Sequence, residues 1–332
     1  MKKSKKSMNK KALRRHIVRI FCLGVAFSVL WTSALADTID LSQGDLVIQD
    51  EINYTLDSTQ STLVNAQEGY IITNSQPGST SNTITVESGD VDITLQDVDI
   101  VADTGSALDV QGDASVTVTL EGDNSLAGAA DSAGVSVNED ATLTITSTET
   151  DDVWDGSLTA TGGDNAAGIG GDNEEDSGTV NIEGGEVTAQ GGTDAAGIGG
   201  GNGGDSGDVT ITDGDISATG GSQGAGIGSG NGAGENDGSI TIEGGDVDAQ
   251  GGNFGAGIGG GWGTDGGEIT ITDGMVTASG GDAAAGIGGG CEGSGGDIEI
   301  TGGTVTATGN SNGAGIGGGW TGESGDIEIS SG

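Results

Sequence analysis

Residues 179–325 are five near-copies of one phrase, each opening on a VTI-like stretch. They read TVNIEGGEVTAQGGTDAAGIGGGNGGDSG (179–207), DVTITDGDISATGGSQGAGIGSGNGAGENDG (208–238), SITIEGGDVDAQGGNFGAGIGGGWGTDGG (239–267), EITITDGMVTASGGDAAAGIGGGCEGSGG (268–296) and DIEITGGTVTATGNSNGAGIGGGWTGESG (297–325). Four copies hold 29 residues and one holds 31, through a two-residue insertion. Self-similarity at this period confines a chain to stacked-repeat architectures, in which each unit buries its apolar face against its neighbours. A divergent copy runs from about Thr142 to Gly178, and weaker versions fill 91–141.

Within each unit the apolar residues fall at positions 2, 4, 9, 11, 18 and 20; in the unit from Glu268 these are Ile269, Ile271, Val276, Ala278, Ala285 and Ile287. Three pairs with a spacing of two describe three short strands, each with one buried face. Glycine doublets or triplets separate the pairs, as expected of sharp corners where φ is positive. The expected fold is therefore all-β: a single-stranded parallel β-helix of about 29 residues per coil, with coils about 4.8 Å apart. The crossover preference makes it right-handed. A flexible Gly/Ser linker would have no reason to keep Ile at position 20 in every unit. Leucine-rich and hexapeptide solenoids lack support, since neither a Leu/Asn ladder nor a period of six is present. The phrase GGTVTATGN…AGIGGG (302–319) resembles repeats of bacterial secreted, cell-surface right-handed β-helix proteins. That resemblance implies adhesin-like or carbohydrate-binding roles and carries over no functional residue.

The first 36 residues read as an export signal. A basic segment is followed by an apolar run from about Ile17 to Trp31, too short for a membrane span, and by the cleavage pattern Ala34-Leu35-Ala36. A cap with first irregular coils is expected over 37–90 and the repeat domain over 91–332, regular from about 142. The last strand, DIEISSG (326–332), enters a new coil, so a truncated or uncapped end and end-to-end association through it are expected. All nine Lys and Arg and the only His lie within the signal, and all 51 Asp and Glu lie after it. The exported chain would carry a net charge of −51 with no cationic side chain. Nucleic-acid binding is excluded on that ground, as is attraction to anionic membranes. A secreted or cell-surface location follows, with no membrane insertion of the mature chain.

Candidate sites are few. Position 24 reads Asn202, Asn231, Trp262, Cys291, Trp320. Trp262 and Trp320 are expected to point outward two coils apart as a platform for a neutral polysaccharide or a host or cell-surface glycan. The alternative for each ring is a cover packed on glycine backbone. Two acidic columns are candidates for structural calcium, because stacked carboxylates repel unless hydrated or bridged. One column holds Asp176, Asp205, Asp265 and Glu323, and the other Asp208, Glu268, Asp297 and Asp326. No cofactor is required. Cys291 alone makes no internal bridge and is expected to be a small turn residue. Parallel β-helices include pectin-degrading enzymes, which keeps a carboxylate-dependent glycoside hydrolase as one alternative. A ligand-free spacer or matrix element is the other. The leading expectation is a non-enzymatic adhesion or carbohydrate-binding module.

Overall fold

The structure, a computed structural model, describes residues 37–62, 69–150, 153–232, 236 and 238–330, so the expected export signal lies outside the described residues. The unit from Glu268 shows how the phrase folds. It forms strands Glu268–Ile271, Met275–Ser279 and Ile287–Gly288, and its six expected core residues are fully buried. Alternation decides which side chains go in: the second strand reads exposed, buried, exposed, buried, because successive Cβ atoms leave a strand on opposite faces. Every strand of the unit pairs in parallel with its counterpart in the next coil, Ile269 with Ile298, Val276 with Val305 and Ile287 with Ile316. The result is a right-handed parallel β-helix of about ten turns.

The ladder of third strands runs the length of the helix. Leu46, Ile84, Leu108, Val135, Ile169, Ile198, Ile227, Ile258, Ile287 and Ile316 stack in one continuous register. All but Ile316 are fully buried, and burial of each aliphatic side chain contributes about 2–3 kcal/mol.

Glycine serves two purposes here. Gly274, at the corner between first and second strands, has φ +100° and needs glycine for its backbone conformation. Gly281, after the second strand, is not among the positive-φ residues. A Cβ there would stand 1.9 Å from the carbonyl oxygen of Gly252 in the coil before. At this corner glycine is required by the close approach of stacked backbones.

The N-terminal coils are built differently. One long strand, Ser115–Ala127, turns a corner and joins both the first and second ladders. A hairpin of Asn53–Leu56 and Thr59–Thr62 pairs antiparallel against Leu46–Ile48. There Tyr54 meets buried Tyr70 edge-on at 5.9 Å, and the Tyr70 hydroxyl donates to the Asp50 carbonyl at 2.9 Å. At the other end Ile327 and Ile329 are exposed.

Candidate functional site: an aromatic edge

The residues at position 24 form a column on the edge that follows the third strand. Backbone bonds hold it in register: Gly232 N–H donates to Trp262 O, Gly263 N–H to Cys291 O and Glu292 N–H to Trp320 O, at 2.8–3.0 Å. Each member is also pinned to the corner of the preceding coil. Trp262 N–H donates to Gln223 O, Cys291 N–H to Phe254 O and Trp320 N–H to Ala283 O, at 2.7–2.8 Å. The column begins as an amide ladder, in which Asn202 Nδ2 donates to Asn173 Oδ1 and Asn231 Nδ2 to Asn202 Oδ1. It then changes from amides to rings.

Trp262 is 41% exposed and Trp320 51%. They stand two coils apart, about 10 Å by the strand spacing. Phe254, which the sequence reading passed over, joins them: it is 39% exposed, and its ring centre lies 5.7 Å from that of Trp262. The available signal was that only this unit places an aromatic residue at that corner, where its neighbours have Gln223 and Ala283. Cys291, between the two tryptophans, is buried with a free thiol. Burial first, and then the charge of Glu292, push its pKa up, so the thiolate is disfavoured.

The acidic columns lie three and six residues further along each coil, as Asp265 and Glu268 do after Trp262. In the first, Asp205 N–H donates to Asp176 Oδ1 at 2.8 Å and Ser294 N–H to Asp265 Oδ1 at 2.6 Å, so these carboxylates cap the backbone of the next coil. Glu323, in the last coil of this column, is exposed. In the second column Asp208 Oδ1 accepts from Ser239 N–H and Oγ, while Glu268, Asp297 and Asp326 stack in register on an exposed face. Among the described residues no group of three or more His, Cys, Asp or Glu side chains converges as a metal ligand set.

A carboxylate group that the sequence did not reveal lies where irregular and regular coils meet. Asp172 accepts from Ala133 N–H at 2.6 Å and Ser106 Oγ at 3.0 Å. Burial holds Asp172, Asp109 and Glu175 above the usual carboxylate range; Asp172 adds its charge at Asp109 and Glu175, and Asp109 adds its own at Glu175. Asp109 is 63 positions from Asp172, and no spacing pattern links it to Asp172 and Glu175.

The comparisons agree with this geometry. A family model described as Beta helix repeat matches residues 153–173, 180–202, 209–231, 240–262, 269–291 and 298–320. The chain is a parallel β-helix repeat protein. Five of the six matched segments of this β-helix run from the second residue of a coil to the aromatic-edge column, so the matched pattern is the scaffold of that edge. No curated protein and no solved structure matches the chain.

Proposed function

We propose that this β-helix is an exported, non-enzymatic module that binds a neutral polysaccharide or cell-surface glycan through its aromatic edge. The observation that carries the reading is three exposed rings, Phe254, Trp262 and Trp320, on a rigid edge of a chain with few aromatic residues. Each ring offers a flat apolar face to a pyranose, worth on the order of 1 kcal/mol in burial. The net charge of −51 selects against uronates and sulfated chains, since residues 37–332 hold no cation to neutralise them. The test is retention of the purified protein on insoluble cellulose, β-1,3-glucan and mannan, with polygalacturonate as the anionic comparison. Retention on a neutral polymer with quenching of tryptophan fluorescence is expected, and none on polygalacturonate. Passage through every neutral polymer would leave the ligand-free spacer as the reading.

One observation favours a second reading, carboxylate-dependent hydrolysis. Asp109, Asp172 and Glu175 come close enough for the charge of Asp172 to act on the other two, a grouping of carboxylates of the kind glycoside hydrolysis uses. Release of reducing ends from soluble β-glucans, abolished by Asp172→Asn, would establish it.

A further inference from the structure

Beside the aromatic edge, the corner after the second strand is hollowed into a trough that runs along the helix axis. It comprises two depressions, of about 430 and 360 Å³, that meet at Gly221. Its floor is the row Gly163, Gly192, Gly221, Gly252 and Gly281. A Cβ at any of them would lie within 2 Å of a carbonyl oxygen in the coil before, so stacking itself keeps the floor free of side chains.

The walls differ from the rest of the surface. Over the three middle coils they are Gln190 with Thr193, Thr219 with Ser222, and Gln250 with Asn253. All six are uncharged amides or hydroxyls, on a chain with 51 acids. Two carboxylates enter it: Asp164 at one end and, near the other, Asp282, which accepts from the side-chain amide of Asn310 in the last coil of the trough at 3.0 Å. Asp164 and Asp282 are four coils apart, about 19 Å.

Trough and aromatic edge are continuous. Asn253 on the wall is followed directly by Phe254, whose ring lies against Trp262. Ser222 and Asp282 likewise precede Gln223 and Ala283, whose carbonyls hold the backbones of Trp262 and Trp320.

We infer that the ligand is a linear neutral glycan that lies along the trough, parallel to the helix axis, with about one sugar residue per coil. This rests on the aromatic-edge reading above. Amide and hydroxyl groups repeating every 4.8 Å or so match the hydroxyls of an extended β-linked chain, whose rise per residue is close to that spacing. The rings of Phe254 and Trp262 then cover one side of the chain. Asp164 and Asp282 bound a neutral stretch of three coils between them, which sets the length of chain recognised and bars anionic sugars from it.

The experiment compares three proteins: parent, Gln250→Ala/Asn253→Ala, and Trp262→Ala/Trp320→Ala. All four substituted side chains are exposed, and melting temperature is recorded for each. Retention is measured on the same neutral polymers, followed by calorimetric titration of the parent with β-linked oligosaccharides of two to six residues. The expected result is at least a tenfold loss of binding in the trough variant at an unchanged melting temperature. Parental affinity should rise with length to three or four residues and then level off. A trough variant that binds as the parent does, while the tryptophan variant loses binding, would overturn the trough and leave the aromatic edge standing. A parent that is not retained by any neutral polymer would overturn both.

Discussion

The coils up to about residue 141 and those after it share one interior ladder and fill the space around it in different ways. In the second ladder the inward position reads Ile100, Leu126, then Ala160, Ala189, Ala218, Ala249, Ala278 and Ala307. The third strands change at the same boundary. Leu108–Val110 and Val135–Val137 carry Asp109 and Ser136 outward, whereas Ile198–Gly199 and its successors carry only glycine there. The reason is a second layer. In the regular coils the segment after the third strand folds back over it, placing the Cα of fully buried Ser206 where a Cβ of Gly199 would be 3.3 Å away. Leu108 accordingly pairs with Val135, 27 residues on, and Ile198 with Ile227, 29 residues on. Early coils obtain their core from large side chains, and regular coils obtain theirs from closely layered backbone.

At the boundary the first such segment, residues 171–178, closes over outward residues that are still polar. Gly178 N–H donates to Val137 O at 2.9 Å, and Asp172 reaches Ser106 and Ala133. The raised carboxylates of Asp109, Asp172 and Glu175 follow from that mismatch.

The shared ladder gives the largest effect. Leu108→Asp and Ile258→Asp each place an unpaired charge in a dry interior and should each cost several kcal/mol. Chemical denaturation should show comparable losses in both; a tolerant Leu108→Asp would mean that early coils do not depend on the ladder.

The second layer gives the next. Gly228 has φ +140°, and a Cβ there would lie 1.9 Å from Gly259 O. Gly228→Val should therefore cost roughly 3 kcal/mol or more. Thr85→Val, at the equivalent outward position of an early third strand, should stay within about 0.5 kcal/mol. Equal melting temperatures for these two variants would remove the layer distinction.

The boundary gives the smallest. Asp109, Asp172 and Glu175 have native pKa values above their unfolded ones, so between the two the native state binds more protons. Stability should rise as pH falls from neutral through the native values and be fully gained near the unfolded carboxylate range, about 4. Asp40 behaves in the opposite sense. Hydrogen bonds from Ser75 hold it at about 2, and its small, exposed contribution disappears only as pH falls through that value. Asp172→Asn should flatten the rise in melting temperature as pH falls from neutral toward the unfolded carboxylate range. Superimposed profiles for variant and parent would show that the boundary carboxylates do not contribute.

The solenoid was legible in the sequence because stacking copies one coil's constraints into the next, so that Ile198 and its successors recur at one position. The aromatic edge was half legible: Trp262 and Trp320 share a column, while Phe254 reaches them from a corner eight residues before Trp262. The trough and the boundary carboxylates were not legible. Both arise from side chains in different coils that meet only once a corner or an overlying segment is placed, and no local pattern marks Asn253 or Asp172 for that role.

The contrast between tryptophans bears most directly on function. Trp154 is the packed kind: a Cβ on Gly184 would lie 2.5 Å from its ring, so the ring sits on that glycine. Trp262 and Trp320 are the exposed kind. Melting temperature and retention on the neutral polymer that holds the parent should be measured together on Trp154→Ala and on Trp262→Ala/Trp320→Ala. The expected result is a double dissociation. Trp154→Ala lowers the melting temperature by a few degrees, for roughly 1–2 kcal/mol of lost packing, and retains binding, while the double variant melts like the parent and loses binding. A double variant that is destabilised yet still retained would make Trp262 and Trp320 corner covers like Trp154, and the aromatic edge would no longer be the binding face.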